Sequence, residues 1–536
     1  MAESAIDSSL LKKSALPRAL YSGHAVRELD ARYIAQAQVT GLALMQRAGR
    51  SAFRHAKRRW PAVRHWLVLC GTGNNGGDGF IIAAQAVQQG HDVRCLLLGD
   101  TGKLQGDARR AYEEARQAGV AVETFSDTLL HQALVNAELV VDAMLGTGLT
   151  GAVRAPYDAA IEAVNQAETA VMAVDMPSGL CSDTGTLLGK AVQADLTITF
   201  IGLKLGLFTG KGPGVVGELV FDSLGCDDDI AAAVPAVAIR LDWATARVGW
   251  PKRSPTAHKG DFGRVLVIGG DLGMGGAALL AAEAAARSGA GMVFVATQPE
   301  HVSGYLARRP ELIVRGVRHR SELLPLLEQV DAVIVGPGLG QGPWGQQLLQ
   351  AVRTEFDGPV LIDADGLNLL AKEQGDPDGN GAGKRKLGNH VVLTPHPGEA
   401  ARLLGCSVAD IERDRIRALD SLSNRYGCVV LLKGAGTLVK NADSASVPTL
   451  IDAGNAGMAS GGMGDVLCGL IGALLGQGQE GVSAAILGGV LHGASADLLA
   501  AELSMAGMLA GDLPLAAARL LKSSETRPDT TGAVHV

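Results

Sequence analysis

Short apolar runs alternate with longer amphipathic stretches along most of this chain. From about residue 64 to 222, β-rich runs at 66–70, 93–98, 138–143, 170–175, 195–201 and 215–221 are separated by helix-period segments such as "DARRAYEEARQAG". Apolar runs of strand length divided by helices predict a mostly parallel sheet covered on both faces. Residues 18–58, containing "LDARYIA" and "ALMQRAG", read as helices. The pattern breaks within "SLGCDDDIAAAVPAVAIRLDWATARVGWPKRSPTAHKGDFG", where an acidic cluster, prolines and the loss of any period place a domain boundary near 226–240. A second alternating series starts at "GRVLVIGG". It continues through "GMVFVAT", "DAVIVGPGLG", "GPVLIDADG", "NHVVLTPHPGE" and "GCVVLLKGAGTLV", and ends in glycine-rich helical sequence near 521. The two series share no repeat. The expected fold is therefore α/β, with two different three-layer αβα domains at 18–225 and 240–521. The insert 375–388 and the tail 523–536 read as solvated segments.

Composition narrows the class. A chain of 536 residues is too long for one ordinary core, and 47% apolar with 19% charged residues fits a well-buried enzyme. The 71 glycines cluster in short apolar-flanked loops, as expected where backbone approaches ligands. A net charge of −7 and few aromatics argue against a nucleic-acid partner. The seven scattered cysteines include no C-x-x-C pair, so buried thiols and a reducing cytoplasm are expected. The first twenty residues lack a signal peptide's apolar core, and no run reaches the roughly 18–20 apolar residues of a membrane span. The Ala-rich stretch 277–286, bounded by Arg287 and containing Glu283, reads as a buried helix.

Chemistry concentrates at strand ends, where open α/β sheets bind ligands. "GTGNNGGDGF" (71–80) follows an apolar run and precedes a helix. Gly71, Gly73 and Gly76 satisfy G-x-G-x-x-G, and Asp100 closes the next run, which together read as a nicotinamide-cofactor fingerprint. Asp78 conflicts with that reading, because a carboxylate beside a pyrophosphate repels it. "VVDAMLGTGLTGAVRAPY" ends a strand at Asp142, and "AVDMPSGL" ends one at Asp175 with Ser178 three residues on. Each Asp alone is most simply a helix cap or turn residue. Three oxygen-rich ends in one sheet instead suit an alkali or alkaline-earth cation.

"NNGGDG", "VDAMLGTGL" and "VDMPSGL", in that order and spacing, resemble the NAD(P)H-hydrate epimerase domain over roughly 18–225. "LMQRAG" is similar to that family's "LMERAG", with Gln46 in place of Glu. The resemblance implies a Rossmann-like domain that takes the damaged dinucleotide as substrate. It implies binding by Asn74, Asn75, Gly76, Gly77 and Asp78, and by the loop Gly146, Thr147, Gly148, Leu149, Thr150, Gly151 and Ala152. It further implies potassium held by Asn75, Asp142 and Ser178, substrate contacts from Tyr157 and Asp175, Asp175 as acid/base, and Lys103 as its catalytic partner.

In the second series, "NAGMASGGMGDVLCGLIGALLG" (455–476) sets Gly461, Gly462 and Gly464 before an apolar helix. Backbone N–H groups and the helix dipole there favour an anion, and Asp465 lies on the first turn. The arrangement resembles ribokinase-like kinases, in which such an Asp takes the acceptor hydroxyl's proton. "TPHPGE", "KGAGT" and "GPGLG" narrow the resemblance to NAD(P)H-hydrate dehydratases over roughly 240–520. It implies nucleotide binding by Lys433, Gly434, Ala435, Gly436, Thr437 and Gly464. It implies contacts to the hydrated dinucleotide from Ala277, Gly338, His396 and Asp465, with magnesium and ADP in preference to ATP. The expected partners are these small molecules and further copies of the chain in a homo-oligomer, with no nucleic acid and no membrane. Two rival readings are a hydroxymethylpyrimidine- or sugar-type kinase with a dinucleotide-sensing domain, and a protein whose first domain only binds.

Overall fold

A computed structural model describes residues 16–373, 386–443 and 445–525. The insert expected at 375–388 falls outside them up to residue 385, as does the tail from 526. Leu387 is fixed by donating to the Tyr426 carbonyl at 2.8 Å, and residues 523–525 belong to the last helix, Leu513–Glu525. The chain divides into two compact units, Pro17–Ile239 and Arg240 onward.

The first unit contains β1 (Ala19–Tyr21), β2 (His65–Cys70), β3 (Asp92–Leu97), β4 (Val122–Thr124), β5 (Leu139–Ala143), β6 (Ala170–Val174), β7 (Leu196–Phe200), β8 (Leu203–Lys204) and β9 (Glu218–Asp222). Seven strands make a parallel sheet in the order β4-β3-β2-β5-β6-β7-β9. Period-2 alternation splits each strand between two cores. Trp66, Val68 and Cys70 pack with helices Gly23–Ala37, Gly41–Arg59, Asn74–Gln88 and Gly106–Gln117, whereas Leu67 and Leu69 pack with Asp127–Leu134 and Tyr157–Gln166. Outside this sheet, β1 pairs in parallel with β8 and antiparallel with the start of β10 (Ala238–Leu241), through Ala19↔Ile239 and Leu20↔Ala238.

The second unit holds β11 (Arg264–Ile268), β12 (Met292–Thr297), β13 (Ile313–Gly316), β14 (Ala332–Val335), β15 (Val360–Ile362), β16 (Val391–Leu393), β17 (Val429–Leu432), β18 (Thr437–Lys440) and β19 (Thr449–Ile451). The order is β13-β12-β11-β14-β15-β16-β17-β18-β19, parallel through β17 and antiparallel beyond it. The Ala-rich stretch forms the helix Gly275–Arg287, whose buried Glu283 pairs with Arg308 and Arg309. Gly481–Glu502 is a 22-residue helix long and apolar enough to cross a membrane by length and composition. Its glycines, Ser495 and His492 break the apolar run in the sequence, and these residues are buried too. The helix lies in the core of the unit, against helix Met463–Gly476 and β16 to β19.

Candidate functional site

In the first unit the parallel strands end around Asp142, which β5 sets in register with Leu69 of β2 and Ala173 of β6. Its carboxylate is buried and accepts from Ser178 Oγ at 2.5 Å, Ser178 N at 2.7 Å and Met144 N at 3.2 Å. Ser178 Oγ accepts from Leu145 N at 2.8 Å, and Asn75 Nδ2 donates to Leu145 O at 3.0 Å. That leaves Asn75 Oδ1 buried with no hydrogen-bond partner. Burial lifts the Asp142 carboxyl to about 6, against the Ser178 bonds that favour its charge. An orphaned amide oxygen beside a carboxylate, a hydroxyl and a carbonyl is a donor set for a hard monovalent or divalent cation.

Two glycines of the opening turn allow close backbone packing, while Gly73 faces open space. A Cβ at Gly71 would run into the Met144 carbonyl oxygen, and one at Gly76 into the Gly71 carbonyl oxygen. These residues therefore nest turn against strand end. Asn74, Asn75, Gly76, Gly77 and Asp78 form the first turn of Asn74–Gln88 behind Gly73. Gly146 lies against Asn75, and Thr147 O accepts from Arg27 Nη1 at 3.3 Å. Gly148, Thr150, Gly151 and Ala152 are exposed, with Leu149 partly so. Tyr157 opens the next helix, and its hydroxyl donates to Leu98 O at 2.8 Å. Asp100 only caps its own turn, accepting from Gly102 N at 2.8 Å.

Asp175 follows β6 with φ +65°, in the left-handed region, and pairs with buried Lys204. Asp30 and Asp78 face the same pair. Burial raises both carboxyls, with the Asp175 charge adding to it, and Asp30 reaches about 6. Lys103 lies on an exposed turn, Thr101–Lys103. The lysine paired with Asp175 is Lys204, which the sequence reading overlooked inside the apolar run "FIGLKLGLF".

The second site lies at the glycine-led helix Met463–Gly476. Gly462, at φ +89°, is its N-cap and packs on Leu280, one turn on from Ala277. Gly338 adjoins Ala277 with φ +58°. A methyl group at Gly464 would stand 3.3 Å from Lys433 Nζ and 3.5 Å from Asp363 Oδ2. Lys433 Nζ bonds Asp363 at 2.8 and 3.1 Å and lies 3.8 Å from Glu399. Burial opposes the Lys433 charge, but Asp363 and Glu399 outweigh it and hold the ammonium above the usual lysine range. Asp363, Glu399 and Asp465 all feel this ammonium, and Arg402 adds positive charge beside Glu399. Burial, then Asp363, pushes Asp465 up to about 7, and burial pushes Glu399 to about 6. His396 caps helix Pro397–Leu404, its Nδ1 accepting from Gly398 N at 2.9 Å. Burial, then Lys433, lowers its pKa.

Asp363, Glu399, Arg415 and His492 also escaped the sequence reading. Buried Arg415 donates to the carbonyls of Leu432, Lys433 and Gly436, fixing the loop that carries Lys433, Gly434, Ala435, Gly436 and Thr437. Its only sequence signal is an arginine opening a helix. His492 is buried, bonds the Met463 backbone, and has Nε2 without a partner. Burial pulls it from 6.5 to about 4. Between those values the unfolded chain holds a proton that the folded chain refuses, so stability falls as pH drops through that window. Urea midpoints should show about 2 kcal/mol lost by pH 5 on this account, and His492→Gln should flatten that slope. An unchanged slope would exclude His492 as its source.

Both units thus place buried carboxylates at strand or helix ends beside glycine-rich turns, the layout of a two-site α/β enzyme. The family model described as "NAD(P)H-hydrate dehydratase" matches residues 265–518, and that described as "YjeF-related protein N-terminus" matches 41–206. A bifunctional NAD(P)H-hydrate repair enzyme of Coxiella burnetii is 44% identical over 92% of this chain and 97% of its own length. One from Escherichia coli is 48% identical over 89% of each chain. A solved ADP/ATP-dependent NAD(P)H-hydrate dehydratase from Bacillus subtilis, co-crystallised with ATP and Mg2+, is 30% identical. It covers 53% of this chain and 97% of its own, with a TM-score of 0.46. The chain belongs to the family of bifunctional NAD(P)H-hydrate repair enzymes. Its two αβα domains are accordingly Rossmann-like and ribokinase-like, and the sugar-kinase and binding-only readings lapse.

Proposed function

We propose that the chain restores hydrated NAD(P)H in two steps, epimerisation within 18–225 and dehydration within 240–521. The observation that carries the reading is the pairing in one chain of an all-oxygen cation cradle with a base at a glycine-led helix. Hydroxide is a poor leaving group, so the hydrate's hydroxyl needs activation. Asp465, raised to about 7, takes the hydroxyl proton at neutral pH as that oxygen attacks the β-phosphorus of ADP. Backbone N–H groups from Gly462 to Gly464 receive the phosphoryl oxygens. AMP leaves. The carbon–oxygen bond then breaks to free phosphate, a proton leaves the adjacent carbon, and the ring double bond returns. The Lys433–Thr437 loop binds the nucleotide, and Ala277, Gly338 and His396 contact the dinucleotide. The excess of carboxylates over the Lys433 ammonium fits a divalent cation. Glu399 would hold magnesium with the nucleotide, where it supplies charge neutralisation.

In the first domain, Asn74 to Asp78, the Gly146–Ala152 loop and Tyr157 bind the hydrate. Asp175 moves the proton for loss and return of the ring hydroxyl. Asn75 Oδ1, Asp142 and Ser178 fit potassium, which supplies a fixed positive charge beside the phosphates. We place the enzyme in the cytoplasm as a homo-oligomer acting on small molecules, without nucleic acid or membrane. Incubation with hydrated NADH should return the reduced-ring absorbance with one AMP and one phosphate formed per ring when ADP is supplied. ADP formed from ATP, with ADP itself inactive, would reverse the nucleotide assignment.

A further inference from the structure

Lys204 stands in β8 with its side chain 1% exposed. A buried ammonium needs a partner for each of its three protons. Lys204 spends them on Asp175 Oδ1, on Thr199 Oγ1 at 2.9 Å and on Phe200 O at 3.1 Å. No donor remains for a substrate, so any part Lys204 plays in the chemistry runs through Asp175. The Thr199 hydroxyl also reaches Asp175 Oδ1, at 3.3 Å. Both bonds fall on that one oxygen. Among the described residues no protein donor reaches Asp175 Oδ2.

The surroundings explain why such a clamp is needed. Asp175 is held at φ +65° by its N–H bond to Ile198 O at 2.7 Å, a backbone region that disfavours a side-chain-bearing residue. Asp78 and Asp30 add two carboxyls facing Asp175, while Arg27 lies by Asp30. Without the Lys204 ammonium, like-charge repulsion and strain would both favour swinging Asp175 away.

We infer that Lys204 is the positioning residue of the epimerase site, fixing Asp175 by Oδ1 and reserving Oδ2 for the hydrated ring. The inference rests on the epimerase reading above. It assigns the partner role expected of Lys103, which lies on an exposed turn, to a residue of β8. Because the clamp aligns a proton-transfer group and does not bind the dinucleotide, its loss should fall on kcat and leave KM nearly unchanged.

The test measures exchange between separated hydrate epimers for the full chain, Lys204→Met and Lys204→Ala. Lys204→Met should lower kcat by about 10²–10⁴-fold, the range of a lost acid/base group, at similar KM. Lys204→Ala should regain exchange when propylammonium is added and not when propanol is. Lys103→Met should exchange normally. A wild-type chain that exchanges no epimers would sink the epimerase reading itself. Wild-type exchange alongside Lys204→Met of normal kcat would overturn the clamp alone. So would a loss confined to KM, or a folded Lys204→Ala that propylammonium does not restore.

Discussion

Asp465→Asn should stop ring recovery while making the ligand-free chain harder to unfold. The amide is nearly isosteric but cannot accept the hydroxyl proton, so ADP-driven dehydration should fall by about 10²–10⁴-fold. The stability effect has the opposite sign. Asp465 has a folded value of about 7 against an ordinary 3.8, so the folded chain holds a proton that the unfolded chain has released. Stability is therefore lost as pH rises from 3.8 through 7, and at neutral pH the native site carries that cost. A neutral amide avoids it. Solvent at the partly exposed carboxylate screens the full shift of about 4 kcal/mol, leaving a gain of about 1–3 kcal/mol at pH 7.5. Urea midpoints and chromatography of the two epimers read both effects on one preparation. Epimer exchange should persist in this variant, whereas Asp175→Asn should leave one epimer consumed and the other accumulating. If Asp465→Asn dehydrates normally, or halts exchange while folded, the assignment of two separate sites fails.

Asp142→Ala should abolish the response of epimerisation to potassium. The substitution removes the only carboxylate in the cradle and strands the Ser178 and Met144 N–H groups that it satisfies. Loss even of residues behind a ligand costs about 10–100-fold in metal affinity, so loss of the charged ligand should raise the potassium half-saturation at least that far. Ser178→Ala should produce a smaller rise, because Asp142 and Asn75 Oδ1 remain. Titrating the exchange rate with potassium chloride, with ionic strength held by a bulky organic cation, reads the effect directly. An unaltered half-saturation in a folded Asp142→Ala chain would remove the cation from this cradle.

Both sheets were legible because their strands are apolar on both faces and bounded by glycine turns. Every strand of five or six residues in the first parallel sheet stands within a few residues of its apolar run. The unseen strands, β1, β4, β8, β10, β13 and β19, span two to four residues and are too short to show a period. Site residues followed a similar rule. Asp142 and Asp175 were found as acids ending strands. Asp363 ends β15 in the same way, within "LIDADG", and applying the rule to the second series would have found it. Lys204 and His492 could not be found so. Each is a polar residue inside an apolar element, and only the folded chain shows what each one bonds.

The pairing of β1 with β10 has a consequence for synthesis. Ala19 and Leu20 leave the ribosome early, yet their antiparallel partners Ile239 and Ala238 emerge only when nearly the whole first unit has been made. Until then β1 has an open backbone edge, the kind of surface that recruits stray strands. A fragment ending at 225, the boundary its composition invites, would keep that edge open permanently. One ending at 241 would close it. Yield of unaggregated protein from these two fragments should therefore differ far more than sixteen residues would lead one to expect, because the later cut supplies the strand that covers the first one made.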